Sequence, residues 1–545
     1  MSSFSIPSTG PATGNVVTRK VFINNIELSN EITVSQLTVS KSFNKIAYAK
    51  VVFVDGTVAS RDFVLSNDDK FKPGSEIKIQ LGFDGNPVTI FEGIIVKHGI
   101  KIRQIGSSLL MIEAKDKAIK LTGARKSAYF INKTDKDIIT ALATGLDTSN
   151  VEGTTFSHEQ MVQFETTNWD FIVTRAEANG MLVFTDDSKL VIKKPVIGAP
   201  LFTATYGVNI WEFEAEMDAR RQSQSVAGYS WDYTHQAAEN STPGSSDLAE
   251  NGNVPSTNLG AVIGAAIKLN HSGHLKQDQL QDWADAYAMR NHISKAVGRV
   301  RIQGSAEVKP GITIALAGVG DRFNGNVYVT GVMHHFEGSW QTDIQFGWRD
   351  EWFYKKEEVM EKPAAGLLPG VNGLLIGLVL NVVDDVDGGQ YRVKVHIPSF
   401  TTGNEGVWAR VATLDAGAGR GVYFRPQVSD EVVLGFLSDD PRQPVILGYL
   451  HSKDSKKSPL PETEGNLEYG IVTQEKLKLI FDDTNKKLTI SVPAGASTKA
   501  IIINDSGAME LKDENKNSIK MDASGITIEA GSGNVTIKGT QVLIN

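Results

Sequence analysis

Short runs of alternating apolar and polar residues dominate the chain between residues 20 and about 121. The alternation is complete in the segment EIKIQL, which starts at Glu76, and a Gly or Asp ends most of the runs. Alternation places every second side chain on one face of a strand, and Gly or Asp favours the turn that follows. The pattern therefore predicts an antiparallel β-barrel or sandwich.

Three segments have a helical period instead. Residues 134–146 open with the capping motif TDKD, residues 168–179 begin with Asn168 as the predicted cap and are followed by Gly180, and residues 277–294 place apolar side chains at helical spacing. Acidic residues in a first turn and Gly after the last turn are the usual start and stop signals of a helix. We expect three helices within the strand-rich region.

Polar segments divide the rest of the chain. Residues 236–262 are rich in Ser, Asn and Gly, and we expect a mobile loop there. The predicted division is an arm (1–18), a hub (19–355), a linker (356–373), a compact domain of five or six strands (374–450), a tether (451–468) and a C-terminal repeat segment (469–545).

The C-terminal segment has short strands about every eight to ten residues, separated by Asp, Asn or Gly. Such repeats are typical of a solenoid or an intertwined β-structure. Short strands bury too little apolar surface to offset their ordering entropy alone, so we expect three identical chains to wind about one axis. A monomeric β-solenoid is the alternative. The large side chains that need partners are Ile526, Ile528, Val535, Ile537, Val542 and Ile544.

Composition narrows the possible classes. The 545 residues are too many for one core, the net charge is −8, and there is no cysteine, which excludes disulfides and thiolate metal sites. An acidic chain has no general attraction to phosphate backbones, so we expect no nucleic-acid partner. The first residues lack a signal-peptide pattern, and the apolar stretch at residues 374–380 is too short to span a membrane. We expect assembly in the cytoplasm.

The most specific motifs lie in residues 374–450. A strand with Gly377 and an Asp-rich turn precede the segments YRVKVHIPS, GVWARV, FRP, DEV and PRQPVILG. The positions that carry this pattern are Gly377, Arg392, Pro398, Trp408, Arg410, Pro426, Asp430, Glu431, Asp440, Pro441, Pro444 and Gly448.

This arrangement resembles the central OB-fold domain of the VgrG family of spike proteins and their counterparts in contractile phage tails and extracellular injection particles. The segment NWDFIVTRAEANG is similar to a helix of that family's hub, and the C-terminal repeats resemble a phage needle. Ser429 and Asp439 stand where the family usually has Gly, and Ser399 where it often has Trp. These are turn and edge changes, which concern the subfamily more than the fold.

The resemblance implies a mainly β protein with a hub of β-barrels and a few helices, an OB-fold neck, and a C-terminal trimeric intertwined β-helix needle. It implies a homotrimer that caps a six-fold inner tube protein, meets baseplate components and pierces the target envelope with transient membrane contact. It also implies an injection particle released outside the cell, which can carry effectors. A small PAAR-like tip protein is expected to bind at Gln541, Val542, Leu543, Ile544 and Asn545.

Histidine pairs give no strong metal signal. His334 and His335 are neighbours on a predicted strand and point to opposite faces, so they do not readily share an ion. His271 and His274 lie in polar sequence without a nearby acidic helix motif. We expect no metal site at either pair.

Other chemical motifs are incomplete. Asp384, Asp385 and Asp387 lack the spacing and terminal Glu of a calcium loop, and the glycine-rich residues 417–421 lack the Lys-Ser/Thr and helix of a phosphate loop. No Gly-x-Ser-x-Gly elbow occurs. The sequence therefore predicts no catalytic residue and no cofactor.

Two other function classes stay open. One is a tail adhesin that holds a glycan with the central domain or a β-solenoid stalk. The other is a cell-wall hydrolase in the hub or in residues 236–262, because any two carboxylates can meet in space. Turnover of peptidoglycan would distinguish the hydrolase from a purely structural protein.

Overall fold

The computed structural model describes residues 16–544, apart from residues 234, 350, 357, 358, 360–367, 386–388, 404, 455, 495, 496 and 506. Residues 1–15 of the predicted arm, much of the predicted linker, Asp387 and Asn545 therefore lie outside the described residues. The chain divides into two compact units, Met1–Glu361 and Lys362–Asn545. The predicted fold class is confirmed, since 44% of the structure is strand and 12% is helix.

The described part of the first unit contains 21 strands. They are β1 (Val17–Ile23), β2 (Ile26–Glu27), β3 (Val34–Ser42), β4 (Tyr48–Val54), β5 (Glu76–Phe83), β6 (Asn86–Lys101), β7 (Leu109–Lys115), β8 (Arg125–Thr134), β9 (Asp147–Val151), β10 (Ser157–Thr167), β11 (Leu182–Asp186), β12 (Lys189–Lys193), β13 (Thr203–Thr205), β14 (Glu212–Met217), β15 (Ser225–Asp232), β16 (Ala237–Asn240), β17 (Ala266–His271), β18 (Ala296–Gln303), β19 (Thr313–Ala317), β20 (Gly325–Glu337) and β21 (Ser339–Phe346).

Thirteen of these strands form one large sheet in the order β14-β18-β21-β20-β3-β4-β7-β6-β5-β1-β2, which β19 joins beside β20 and β13 joins beside β19. The alternation predicted for β5 is present, because Ile77, Ile79 and Leu81 are buried while Lys78 and Gln80 are only partly covered. Smaller sheets are the hairpin of β8 and β10, the trio β11-β12-β9 and the trio β16-β15-β17.

Four helices lie in the described part of the first unit: α1 (Asp135–Leu142), α2 (Asn168–Ala178), α3 (Ser256–Ile263) and α4 (Gln277–Ile293). The predicted cap of α1 is present, and Thr134 forms a capping box with Asp137. The predicted cap of α2 was wrong: the Thr167 hydroxyl accepts the Asp170 N–H at 3.1 Å. Asn168 is already helical, and its amide donates to the Leu142 carbonyl instead.

The prediction of a mobile loop over residues 236–262 was wrong at both ends, where β16 and the start of α3 are regular structure. The middle of the segment is fastened by Lys295, whose buried ammonium pairs with Glu250 and donates to the Asn251 and Val254 carbonyls at 2.8 and 3.1 Å. A buried charge requires such partners, so the polar segment is ordered around it.

The second unit begins with a closed barrel. Its strands are β22 (Leu375–Asn381), β23 (Val393–His396), β24 (Val407–Val411), β27 (Glu431–Phe436) and β28 (Pro444–Tyr449), with the small hairpin β25 (Ala416–Gly417) and β26 (Arg420–Gly421) beside them. Its core contains Val379, Val393, Val395, Ala409, Val432, Leu434 and Ile446. Five strands therefore close around one apolar interior.

The remainder of the second unit is a sheet of seven antiparallel strands in chain order: β29 (Glu468–Val472), β30 (Lys478–Asp482), β31 (Lys487–Ala494), β32 (Ser497–Asn504), β33 (Met509–Lys512), β34 (Ser518–Asp522) and β35 (Gly525–Glu529). A single chain thus forms a meander and not a solenoid. The strands predicted near Val535 and Val542 do not appear among the described residues, where residues 530–544 have no strand pairing.

Ser429, one of the departures from the family pattern named above, has a left-handed backbone with φ +72°, and its N–H donates to the Val379 carbonyl at 2.8 Å. Because a Cβ is disfavoured in this conformation, we expect Ser429→Gly to raise the free energy of unfolding of the second unit by about 1 kcal/mol. Calorimetry of the full chain measures this. Ser399→Gly is the control, since position 399 has no positive φ, and equal effects of both changes would contradict the prediction.

Candidate assembly surfaces

The seven-stranded sheet carries its large apolar side chains on one face. In β32, Ile501 pairs with Ile490 of β31 on one side and with Leu511 of β33 on the other, and the register continues across the sheet. Paired residues share a face of a sheet. We call the resulting two rows the needle face: Tyr469, Phe481, Leu488, Ile503, Met509, Met521 and Ile526 in one row, and Ile471, Leu479, Ile490, Ile501, Leu511, Ile519 and Ile528 in the other.

The needle face is not covered within one chain. Twelve of its fourteen side chains keep between 37% and 70% of their surface exposed. The row between them on the opposite face is mostly polar or small, with Gly470, Ile480, Thr489, Ile502, Glu510, Lys520 and Thr527. A continuous apolar surface with a polar reverse side is the pattern of an interface.

A groove of about 640 Å³ runs beside the second apolar row. Five residues of that row line it, and Val535 of the C-terminal segment lies at its margin; the row residues are Ile490, Ile501, Leu511, Ile519 and Ile528. The groove is also lined by polar side chains, among them Lys499, Asp513 and Asn517. Its apolar side offers space for other apolar side chains.

The hairpin of β8 and β10 presents a second apolar surface, in the first unit. Tyr129 pairs with Val162, and Ile131 and Phe164 lie on the same side. These four side chains, which we call the hairpin face, are 79%, 44%, 56% and 72% exposed in the order just named. The reverse side of the hairpin carries Phe130 and Met161, which pack against the core beneath.

Sequence reasoning missed most of these residues. It named only the apolar side chains near the C-terminus, although the alternation in LKLIFD at residues 477–482 already marked one face. The hairpin face was hidden because AYFI at residues 128–131 is apolar on both sides of the strand. Neither surface could be recognised before the pairing register was known.

The family-motif residues of the barrel pack in its core, form side-chain hydrogen bonds or lie in its turns. A Cβ on Gly377 would lie 2.8 Å from Leu434, so a larger residue does not fit there. Arg392 donates to Asp384 at 2.9 Å, and its guanidinium lies 5.8 Å from the ring centre of Trp408. Arg410 pairs with Val445 across β24 and β28.

The remaining motif residues lie at turns and strand ends. Pro398 and Pro441 are second residues of turns closed by the Phe400 and Gln443 N–H groups, and Asp430 accepts the Gln427 N–H at 2.8 Å. Asp440 accepts from Arg442, Pro426 is buried, and Glu431, Pro444 and Gly448 belong to β27 and β28. None of these contacts leaves a reactive group pointing into a cavity.

The predicted tip residues lie at the end of the described chain. Val542, Leu543 and Ile544 are 47%, 78% and 89% exposed, and Gln541 is exposed beside them. Asn545 lies outside the described residues. Binding of a tip protein here stays a prediction.

Several buried charges in the first unit have charged partners, and Asp135 is the example with most hydrogen bonds. Asp135 accepts from Arg175 at 2.7 and 2.9 Å, from Asn179 at 2.8 Å and from His158 at 3.1 Å. Burial alone would raise the pKa of Asp135, but the hydrogen bonds from His158 and Arg175 hold it well below its usual range. Such a fully bonded carboxylate is a structural ion pair and not a free acid or base.

The histidine and aspartate motifs of the sequence also have internal partners. His334 Nδ1 lies 3.0 Å from the Thr342 hydroxyl, whereas His335 faces Asp343 at 3.2 Å, so the two rings point apart as predicted. Asp384 accepts hydrogen bonds from the Gln390 N–H and from the Arg392 side chain. Residues 416–421 form the hairpin of β25 and β26 and no phosphate loop.

The part of the chain that the structure describes has no helix both long and apolar enough to cross a membrane.

Three family descriptions match parts of the chain. The "Alg8 N-terminal domain" matches residues 13–338, the "Type VI secretion system/phage-baseplate injector OB domain" matches residues 375–451, and the "Phage baseplate V C-terminal trimerisation domain" matches residues 496–545. The first match alone covers more than half of the chain. The second match coincides with the closed barrel. The third match contains the part of the needle face that lies from β32 onward.

Curated relatives match shorter segments. The chain is 31% identical over 150 residues to "Actin cross-linking toxin VgrG1" of Vibrio cholerae, which is 25% of this chain and 13% of that protein. It is 40% identical over 76 residues to "Type VI secretion system spike protein VgrG3" of Vibrio cholerae, which is 13% of this chain and 8% of that protein. The matches therefore span only a small part of each relative.

Solved structures with a similar course of the chain include a tail protein from Neisseria meningitidis, with 12% identity, a TM-score of 0.44 and coverage of 62% of this chain and 99% of that one. An E. coli component of the type VI secretion system has 14% identity, a TM-score of 0.39 and coverage of 79% and 100%, respectively.

Burial lowers the pKa of His334 to about 3 from its ordinary 6.5. The unfolded chain binds a proton at this ring at higher pH than the folded chain does, so His334 costs no stability above about pH 6.5. As the pH falls from about 6.5 toward 3, the free energy of unfolding should drop by about 1.4 kcal/mol per pH unit because of this group. We expect His334→Gln to flatten the dependence, measured by urea unfolding between pH 7 and 4.5. His271→Gln, at an exposed histidine, is the control. A slope unchanged by His334→Gln would contradict the assignment.

Proposed function

The chain belongs to the family of the Alg8 N-terminal domain and is a VgrG-like spike component of an injection apparatus, and we propose that three copies form the spike that caps the inner tube and pierces the target envelope. The needle face is the observation that carries this proposal. One chain cannot cover two apolar rows that cross seven strands, whereas three chains with these rows turned inward can.

The energy of such an assembly is large. Fully burying one large aliphatic or aromatic side chain contributes about 1.5–3 kcal/mol, and twelve side chains of the needle face are still roughly half exposed in one chain. Covering them contributes on the order of 10 kcal/mol per chain. Pairing between neighbouring chains also removes the free edges of β29 and β35, which otherwise invite aggregation.

The segments then have separate roles along the spike. The hub (residues 19–355) docks onto the six-fold inner tube protein and the baseplate, the barrel (374–450) is the neck, and residues 469–545 are the needle, joined by the linker (356–373) and the tether (451–468). The hairpin face belongs to contacts between neighbouring hubs. Four apolar side chains are a small surface, which suffices when the needle already holds the copies together.

The C-terminal end is the point of attachment for a tip protein. Val542, Leu543 and Ile544 are exposed apolar side chains, and a small PAAR-like protein seated on three copies of them would cover them. The spike is assembled in the cytoplasm, leaves as part of an injection particle, carries effectors and meets the target membrane only transiently.

This role is structural and needs no cofactor or catalytic group. The toxin relative matches over 13% of its own length, so its cross-linking activity is a property of that protein. The meander of β29–β35 does not favour the form of the adhesin alternative that uses a β-solenoid stalk. The buried Asp135 does not favour the hydrolase alternative, because it is engaged by three side chains.

We expect the purified chain to have a solution mass near 177 kDa, three times the 59.1 kDa of one chain, by light scattering. Deletion of residues 469–545 should convert it to a monomer, because the needle face is the main clasp. A monomer for the intact chain would contradict the proposal, and a trimer that survives the deletion would move the clasp to the hub.

Two neighbouring isoleucines of β32 give a sharper test. Ile501 lies on the needle face and Ile502 on the opposite face. We expect Ile501→Lys to dissociate the trimer, because three unpaired ammonium groups would enter its apolar interior at a cost of several kcal/mol. Ile502→Lys should leave the mass unchanged. Equal behaviour of the two variants in light scattering would exclude the proposed orientation of the sheet.

A further inference from the structure

A cluster of metal-ligating side chains lies in the hub, away from the needle and the hairpin face. Asp232 ends β15, Glu239 lies in β16, and His274 follows β17. The register pairs Ser230 of β15 with Glu239, and residues 230 and 232 share a face of the strand, so the two carboxylates lie on the same side. The hairpin geometry alone brings them together.

The loop after β17 delivers the third group. Ser230 accepts the Leu275 N–H at 3.2 Å and donates to the Leu275 carbonyl at 2.8 Å, which holds the loop across this face. His274 is thereby placed between the carboxylates, and the edge-to-face contact of its ring with Tyr233 orients it further, with ring centres 5.8 Å apart. His271, three residues earlier, turns away to the Gly273 backbone.

The distances suit an ion better than direct hydrogen bonds. His274 Nδ1 lies 3.7 Å from Asp232 Oδ1, and His274 Nε2 lies 3.8 Å from Glu239 Oε2. Both separations exceed the range of a good hydrogen bond. One ligand atom from each residue lies within 4.8 Å of the others, and ligand atoms bonded to one ion at about 2.0–2.2 Å would be about 3.3 Å apart, so a rotation of the imidazole and small side-chain shifts complete the site.

The surroundings are those of a prepared site. The Asp232 side chain is 8% exposed, and those of His274 and Glu239 are 25% and 31% exposed. His235 Nδ1 lies 2.6 Å from Asp232 Oδ2, and the distance to His274 is measured from the other carboxylate oxygen, Oδ1. A hydrogen bond to the far oxygen of a ligating carboxylate is a common feature of metal sites, because it fixes the ligand's orientation.

We propose that Asp232, Glu239 and His274 bind one Zn²⁺ per chain. One imidazole and two carboxylates match the nitrogen and oxygen ligands that zinc accepts, and three protein ligands leave a position for water. The ion ties the β15–β16 turn to the segment that leads into α4, so it fastens the small sheet on which α4 packs. The site is independent of the spike proposal.

The test uses the full-length protein, freed of metal with a chelator and titrated with Zn²⁺ against a chromophoric competitor. We expect one ion per chain with a Kd below about 10 µM, and a loss of affinity of at least tenfold in His274→Ala and in Glu239→Gln. His271→Ala is the matched control on the same loop and should bind as the unaltered protein does. Zn²⁺ should also raise the thermal midpoint of the unaltered protein and of His271→Ala, but not that of His274→Ala.

The partly exposed Glu239 can be changed to Gln without altering its shape, which keeps the test valid if His274→Ala fails to fold. Circular dichroism and light scattering verify folding and mass of each variant. Binding by the unaltered protein that is no tighter than binding by Glu239→Gln would overturn the proposal. Equal loss in His271→Ala would also overturn it, since the ligand set would then be a different one.

Discussion

The needle face is the feature on which the proposed assembly depends, because twelve of its fourteen apolar side chains stay exposed in the described part of one chain. Strands of four to eight residues in a meander satisfy their backbone hydrogen bonds with their neighbours, but each sheet has two faces and only one of them is polar here. In the proposed trimer these rows are buried against identical rows from the other copies, so the oligomeric state and the stability of the sheet depend on the same contacts.

In the described part of the first unit, by contrast, several buried charges find their partners within the same chain. Lys41 is buried between Asp186 and Asp187 at 2.5 and 3.0 Å, and although its burial would lower its pKa, the two carboxylates raise it. Arg290 is held by Glu177 and lies over the rings of Trp348 and Trp352. Removing one partner of such a pair would leave an uncompensated buried charge, so these pairs specify the packing of the first unit.

The barrel of the second unit closes its core within one chain, as the first unit does. Its interior is closed by its own five strands, and its specific motifs are concentrated at turns and at one close approach, where Gly377 meets Leu434. Ser429 and Asp439 both have left-handed backbones although neither is Gly, with φ of +72° and +55°. Both positions were recognisable from the sequence as departures from a family pattern. In the structure, both residues have a backbone conformation that Gly adopts without steric strain.

The sequence by itself determined most of the strands, the α1 capping box, the presence of the three helices predicted at residues 134–146, 168–179 and 277–294, and the motifs of the barrel, because each depends on side chains a few residues apart. Only the tertiary structure decided that residues 236–262 are partly ordered, since Lys295 and Glu250 are 45 residues apart. The tertiary structure likewise decided that His274, and not His271, lies beside Asp232 and Glu239. It also decided that the two rows of the needle face lie on one side of the sheet. These outcomes depend on strand register and loop placement, which are set by contacts between distant residues and leave no local pattern in the chain.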